Sequence, residues 1–119
     1  MSLPIPPIIL PPLEDAQTER IWLQKTLRDW LDNEFIPEVV NETIASRAAD
    51  IYIRHRLEGE NELGAILIAI VTEMRFFDFS NSFYSEFAVA NAVSDILLCR
   101  LGRDICCGNQ QEDKQQKQT

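Results

Sequence analysis

Three cysteines, one histidine and a surplus of carboxylates are the side chains through which this chain could do chemistry. Cys99 and Cys106 are seven apart and Cys107 follows directly. Zinc sites are built from paired ligands such as Cys-x-x-Cys with a second pair elsewhere, and no such set is present, so no metal is expected. Adjacent cysteines bond to each other only with strain, which sets a redox switch at Cys106-Cys107 below the plainer reading: small hydrophobes near the end of the last helix. The odd cysteine count, and an N-terminus without the basic start and unbroken apolar core of a signal peptide, point to a reducing, cytoplasmic setting.

His55 is the single histidine. A di-iron site in a helical bundle needs two Glu-x-x-His motifs; the residue three before His55 is Tyr52 and a second histidine is missing. A general base needs a nucleophile or a phosphate-cradling glycine loop to serve, and neither motif occurs. The plain expectation is a histidine at the edge of the core, hydrogen-bonded to a carboxylate or carbonyl. An enzymatic or small-molecule site would use His55 with Asp50 or Glu73.

The aromatic residues are the most unusual feature. Five of the six phenylalanines, Phe76, Phe77, Phe79, Phe83 and Phe87, crowd around one turn together with Tyr84. Phe76, Phe83 and Phe87 have the spacing to join a core. Phe77 and Phe79 flank Asp78, so at least one of them is expected to be exposed, beside Arg75. Aromatic residues and arginine are enriched at the energetic centres of protein interfaces. The N-terminal stretch is the second candidate surface. Pro4, Pro6, Pro7, Pro11 and Pro12 alternate with Leu3, Ile5, Ile8, Ile9, Leu10 and Leu13, a pattern that forces an extended arm. Branched aliphatics are scarce in disordered segments, so this arm is expected to dock, either in a groove of its own domain or on a partner. The candidate partner-binding residues are therefore Ile5, Ile8, Ile9, Leu10, Arg75, Phe77 and Phe79.

The elements that must position these residues read as helices. Residues 63–71, Leu-Gly-Ala-Ile-Leu-Ile-Ala-Ile-Val, carry no polar side chain on any side of a helical wheel, and a helix of that kind has to be enclosed. Nine residues are far short of the roughly 20 needed to cross a bilayer, so the segment is predicted to be the centre of a water-soluble core. Before it, Leu23, Leu27, Trp30 and Leu31 define an amphipathic helix running from about residues 12–15 to 33. Val40, Ile44, Ala48, Ile51 and His55 define a second, opened by Pro37 and closed by Gly59. The central helix is expected to be capped by Asn61 and to reach about Phe76. A fourth, from about 83 to 101, carries Phe83, Phe87, Ala90, Val93, Leu97 and Leu101, starts at Asn81 or Ser82, and stops at Gly102.

The fold class is thus an all-α compact bundle of about four helices: an extended proline-rich arm over 1–13, a single helical domain over 14–107, and a polar tail over 108–119. That tail, Asn-Gln-Gln-Glu-Asp-Lys-Gln-Gln-Lys-Gln-Thr after Gly108, lacks aliphatic and aromatic side chains and is expected to be disordered. A chain of 119 residues buries enough surface to fold without disulfides or metal. Its net charge of −8 repels nucleic acid and anionic membranes alike. With no cofactor motif and apolar groups where a monomer has no need of them, the chain reads as a non-enzymatic protein-interaction module, an adaptor, assembly factor or regulator with a protein partner or a second copy of itself.

Overall fold

A computed structural model describes residues 7–34, 36–80, 82 and 84–102. It contains four helices: α1 (Ala16–Glu34), α2 (Val39–Leu57), α3 (Leu63–Met74) and α4 (Glu86–Arg100). Each packs on the next in sequence, and α4 returns to α1. The all-α bundle expected from the periodicity is the observed architecture.

Local chemistry sets each boundary. Asp15, at the end of the expected range, starts α1: its Oδ1 accepts from the Gln17 amide at 3.2 Å while Thr18 Oγ1 donates to Oδ2 at 2.8 Å. These bonds hold the Asp15 carboxyl below its ordinary range, and they satisfy amides that a helix start leaves without partners. Pro37 lies just outside α2, whose first turn follows extended Glu38. The start of α3 is capped by Glu62, whose side chain accepts from Ala65 N at 3.0 Å and Gly64 N at 3.2 Å. The expected cap, Asn61, is engaged elsewhere, as described below. Helix α4 begins later than its apolar pattern implied, at Ser85, whose hydroxyl accepts from Ala88 N. Gly59 and Gly102 take φ of 102° and 82°, the left-handed conformation that closes α2 and α4.

The core is centred on α2 rather than α3. Ile44, Ala48 and Ile51 are buried as the spacing predicts, but Ala45, Ala49, Tyr52 and Ile53 on the neighbouring side are buried too. Three alanines in this stretch let α1 approach closely, and Leu23, Leu27 and Leu31 of α1 are fully enclosed. In α3, Leu63, Ile66, Ile70 and Met74 face inward, whereas Ile68 is 68% exposed. The expectation that this apolar helix is enclosed on every side is corrected here: it packs mainly on α2 and α4, with the arm against its first turn, and the side that carries Ile68 meets solvent.

Helix α3 also crosses α2 instead of running back beside it. Arg54 and His55, in the last turn of α2, both reach Glu73, near the end of α3. Ten residues of helix separate Leu63 from Glu73, about 15 Å, so a parallel course would place Glu73 opposite the middle of α2, beyond reach of His55. Among the described residues no helix is long and apolar enough to cross a membrane.

A candidate functional site beneath the arm

The arm is seated on its own domain. The Leu10 amide donates to the Asn61 carbonyl at 2.8 Å and the Leu63 amide donates to the Ile8 carbonyl at 2.8 Å, one antiparallel bridge between Ile9 and Glu62. Extended backbone puts successive side chains on opposite sides, so Leu10 is buried and Ile9 exposed while Ile8 is half-buried against the core. Of the four arm residues singled out from the sequence, Ile5 lies outside the described residues.

Arg56 fixes the next step of the arm. Its Nη2 donates to the Pro11 carbonyl, its Nε to Asn61 Oδ1 at 2.8 Å, and its Nη1 to the Tyr52 hydroxyl at 2.8 Å. Proline suits this position because its carbonyl is all that is used. The Tyr52 hydroxyl passes its own proton toward Glu19 Oε2 at 2.7 Å. Burial, and then the neighbouring Glu19, push the Tyr52 phenol far above its ordinary value, so it stays a donor. Glu19 Oε1 in turn accepts from Arg100 Nη2 at 2.5 Å, and the Arg100 guanidinium lies 3.7 Å from the centre of the Trp22 ring, a cation–π arrangement. This chain of groups joins arm, α1, α2, α4 and the turn before α3.

Together they line a cleft of about 110 Å³, with Leu10, Pro11, Pro12 and Leu13 on one side and Tyr52, Arg56, Leu97, Arg100 and Leu101 on the other. Sequence reasoning did not find it. The sequence places Arg56 in a basic last turn of the second helix, where the helix dipole favours cations, and nothing in the pattern marks Glu19 or Arg100. The signal available was faint: Tyr52 and Arg56 are four apart on α2, so they share a face, and that face also holds Ala45 and Ala49.

His55 does not line this cleft. Its Nε2 is 2.8 Å from Glu73 Oε2, which Arg54 Nη2 also contacts. The expected carboxylate partner is therefore Glu73; Asp50 pairs instead with Arg20 Nε at 2.5 Å. Arg54 and then His55 hold the Glu73 carboxyl below the ordinary range. Among the described residues no group of three His, Cys, Asp or Glu side chains is placed to hold a metal. Cys99 is disulfide-bonded, which corrects its reading as a small free hydrophobe; Cys106, Cys107 and the polar tail lie outside the described residues.

The aromatic turn is arranged differently from its expected form. Phe77 and Phe79 are half-buried against the core, with ring centroids 4.9 Å apart and planes tilted by 59°. Phe76, expected inside, is 83% exposed, and Phe87 is 61% exposed; Phe83 lies outside the described residues. The reason is the end of α3 at Met74: the two-residue turn that follows rotates Phe77 inward and Phe76 outward. Arg75 is exposed beside Phe76. On α3 itself the outward positions are Gly64, Ile68 and Thr72; the Glu62 carboxylate lies against Gly64, and from Ile68 onward the exposed stripe leads to Arg75 and Phe76.

Fold and site define a small helical domain whose N-terminal arm is pinned over a polar cleft and whose third helix leaves an apolar side open. Residues 3–101 match the domain of unknown function DUF8822, and the chain belongs to that family. No curated protein and no solved structure matches it.

Proposed function

We propose that this protein is a non-enzymatic protein-interaction module that receives an apolar helix of a partner protein on the outward side of α3. The observation that carries the reading is the stripe Ile68, Thr72, Arg75 and Phe76, exposed and with no carboxylate among its own residues, on a chain whose net charge is −8. A stripe of that kind is an anomaly on an acidic surface, and contiguous apolar patches mark sites of association. Phe76 and Arg75 are of the residue types enriched at protein interfaces. The arm residues Ile8 and Leu10 are committed to the protein's own domain, and of the described candidate residues in the arm Ile9 is the one that faces outward.

The test is capture from a lysate of the source organism with the wild-type chain and with Ile68→Glu, alongside light scattering of each at tens of micromolar. A partner held by the wild type and lost from Ile68→Glu supports the reading. A wild-type dimer that the substitution converts to monomer identifies the partner as a second copy. Equal behaviour of the two chains in both measurements contradicts it.

A further inference from the structure

We infer that the cleft beneath the arm is a binding site for a small aliphatic monocarboxylate, held by Arg56 and Arg100. Charge is the starting point. The charged residues lining the cleft are Glu19, Arg56 and Arg100. Glu19 is paired with Arg100 at 2.5 Å, which leaves the charge of Arg56 without a carboxylate in contact among the described residues. Arg56 is 6% exposed, and its three hydrogen bonds go to neutral oxygens, those of Pro11, Tyr52 and Asn61.

A buried cation is costly unless an anion compensates it, and a cleft with one positive charge in excess supplies the field for one negative ligand. The donors are also available. A guanidinium carries five N–H groups, of which Arg56 uses three and Arg100 one in the bonds just described. Guanidinium and carboxylate match in shape, which gives such pairs their strength and direction.

The rest of the lining selects the body of the ligand. Leu10, Pro12, Leu97 and Leu101 offer aliphatic walls, unsuited to a phosphate, which is polar on every side. A cavity of about 150 Å³ takes benzene, so a cleft of about 110 Å³ suits an acid of roughly four carbons. Because the arm forms one wall, an occupant stabilises the closed arm by mass action.

The probe is isobutyrate, with isobutyramide as its uncharged counterpart and inorganic phosphate as a charged ion without an apolar body. Methyl resonances of Leu10, Leu97 and Leu101 in the full-length chain are followed by NMR during each titration. Isobutyrate is expected to shift them saturably while isobutyramide does not, and Arg100→Gln is expected to weaken the binding about tenfold or more, the effect of losing one charge-assisted bond. Arg100 lies at the mouth of the cleft, half exposed, and its replacement spares the bonds that Arg56 makes to the arm. An isobutyrate response that never saturates, one matched by isobutyramide, or one unchanged in Arg100→Gln overturns the assignment. Tighter binding of phosphate than of isobutyrate overturns the class of ligand.

Discussion

Tyr52 is the residue on which the polar chain beneath the arm turns, because its one hydroxyl both receives from Arg56 and donates to Glu19. Tyr52→Phe removes that oxygen without changing the packed ring. Buried Arg56 and half-buried Glu19 then each lose a hydrogen bond, and the expected loss of stability is about 1 to 3 kcal/mol, the usual cost of leaving a buried polar group short of a partner. Urea unfolding of the two chains measures it; an unchanged midpoint would mean that water replaces the hydroxyl fully. Glu73 gives a second prediction, in pH. Its carboxyl is held below the ordinary range by Arg54 and His55, so the folded state binds a proton less readily than the unfolded state. The stabilisation is therefore fully present above the ordinary glutamate value of about 4.3 and is lost as pH falls below it. Melting temperature should drop more steeply across that window in the wild type than in Glu73→Gln. Parallel curves would remove Glu73 from the account.

At the scale of the helix, α3 has two sides with opposite consequences. Ile70 is fully enclosed and Ile68 largely exposed. Ile70→Ala should cost about 2 to 5 kcal/mol, whereas Ile68→Ala should stay within about 0.5 kcal/mol, as exposed substitutions do. Chemical denaturation of both variants checks this, and equal losses would place Ile68 in the core. The same helix marks where the sequence was readable and where it was not. Its helical state, its limits within two residues, and the glycine stops at Gly59 and Gly102 follow from local rules about apolar runs and backbone freedom. Which side of it faces out does not: an uninterrupted apolar segment has no polar side to orient it, so neighbours decide. Periodicity located α1 correctly, with Leu23, Leu27 and Leu31 inside, because that helix has one apolar side. It under-read α2, where Tyr52 and Arg56 look like surface residues until the arm covers them. Phe76 and Phe77 exchanged places because one residue of turn geometry reverses which ring points inward, and composition carries no information about that turn.

For the whole molecule, the arm is what turns four helices into a closed structure. Leu10 is buried, and an enclosed leucine contributes about 1.5 to 3 kcal/mol, with further contributions from two backbone bonds and from Arg56 to Pro11. Deletion of residues 1–12 should lower the melting temperature by the same amount at every protein concentration, since the groove belongs to the same chain. A loss that depends on concentration would mean that arms are exchanged between copies.

The central claim is that the outward side of α3 is where a partner sits, and contact there can be read directly by photo-crosslinking. A photoreactive amino acid at position 72, on the exposed stripe of α3, is compared with one at position 43, on the exposed side of α2. The account predicts a discrete crosslinked product from position 72, lost when Phe76→Glu is added, and none from position 43. Crosslinks from both positions alike, or from position 43 alone, would contradict it.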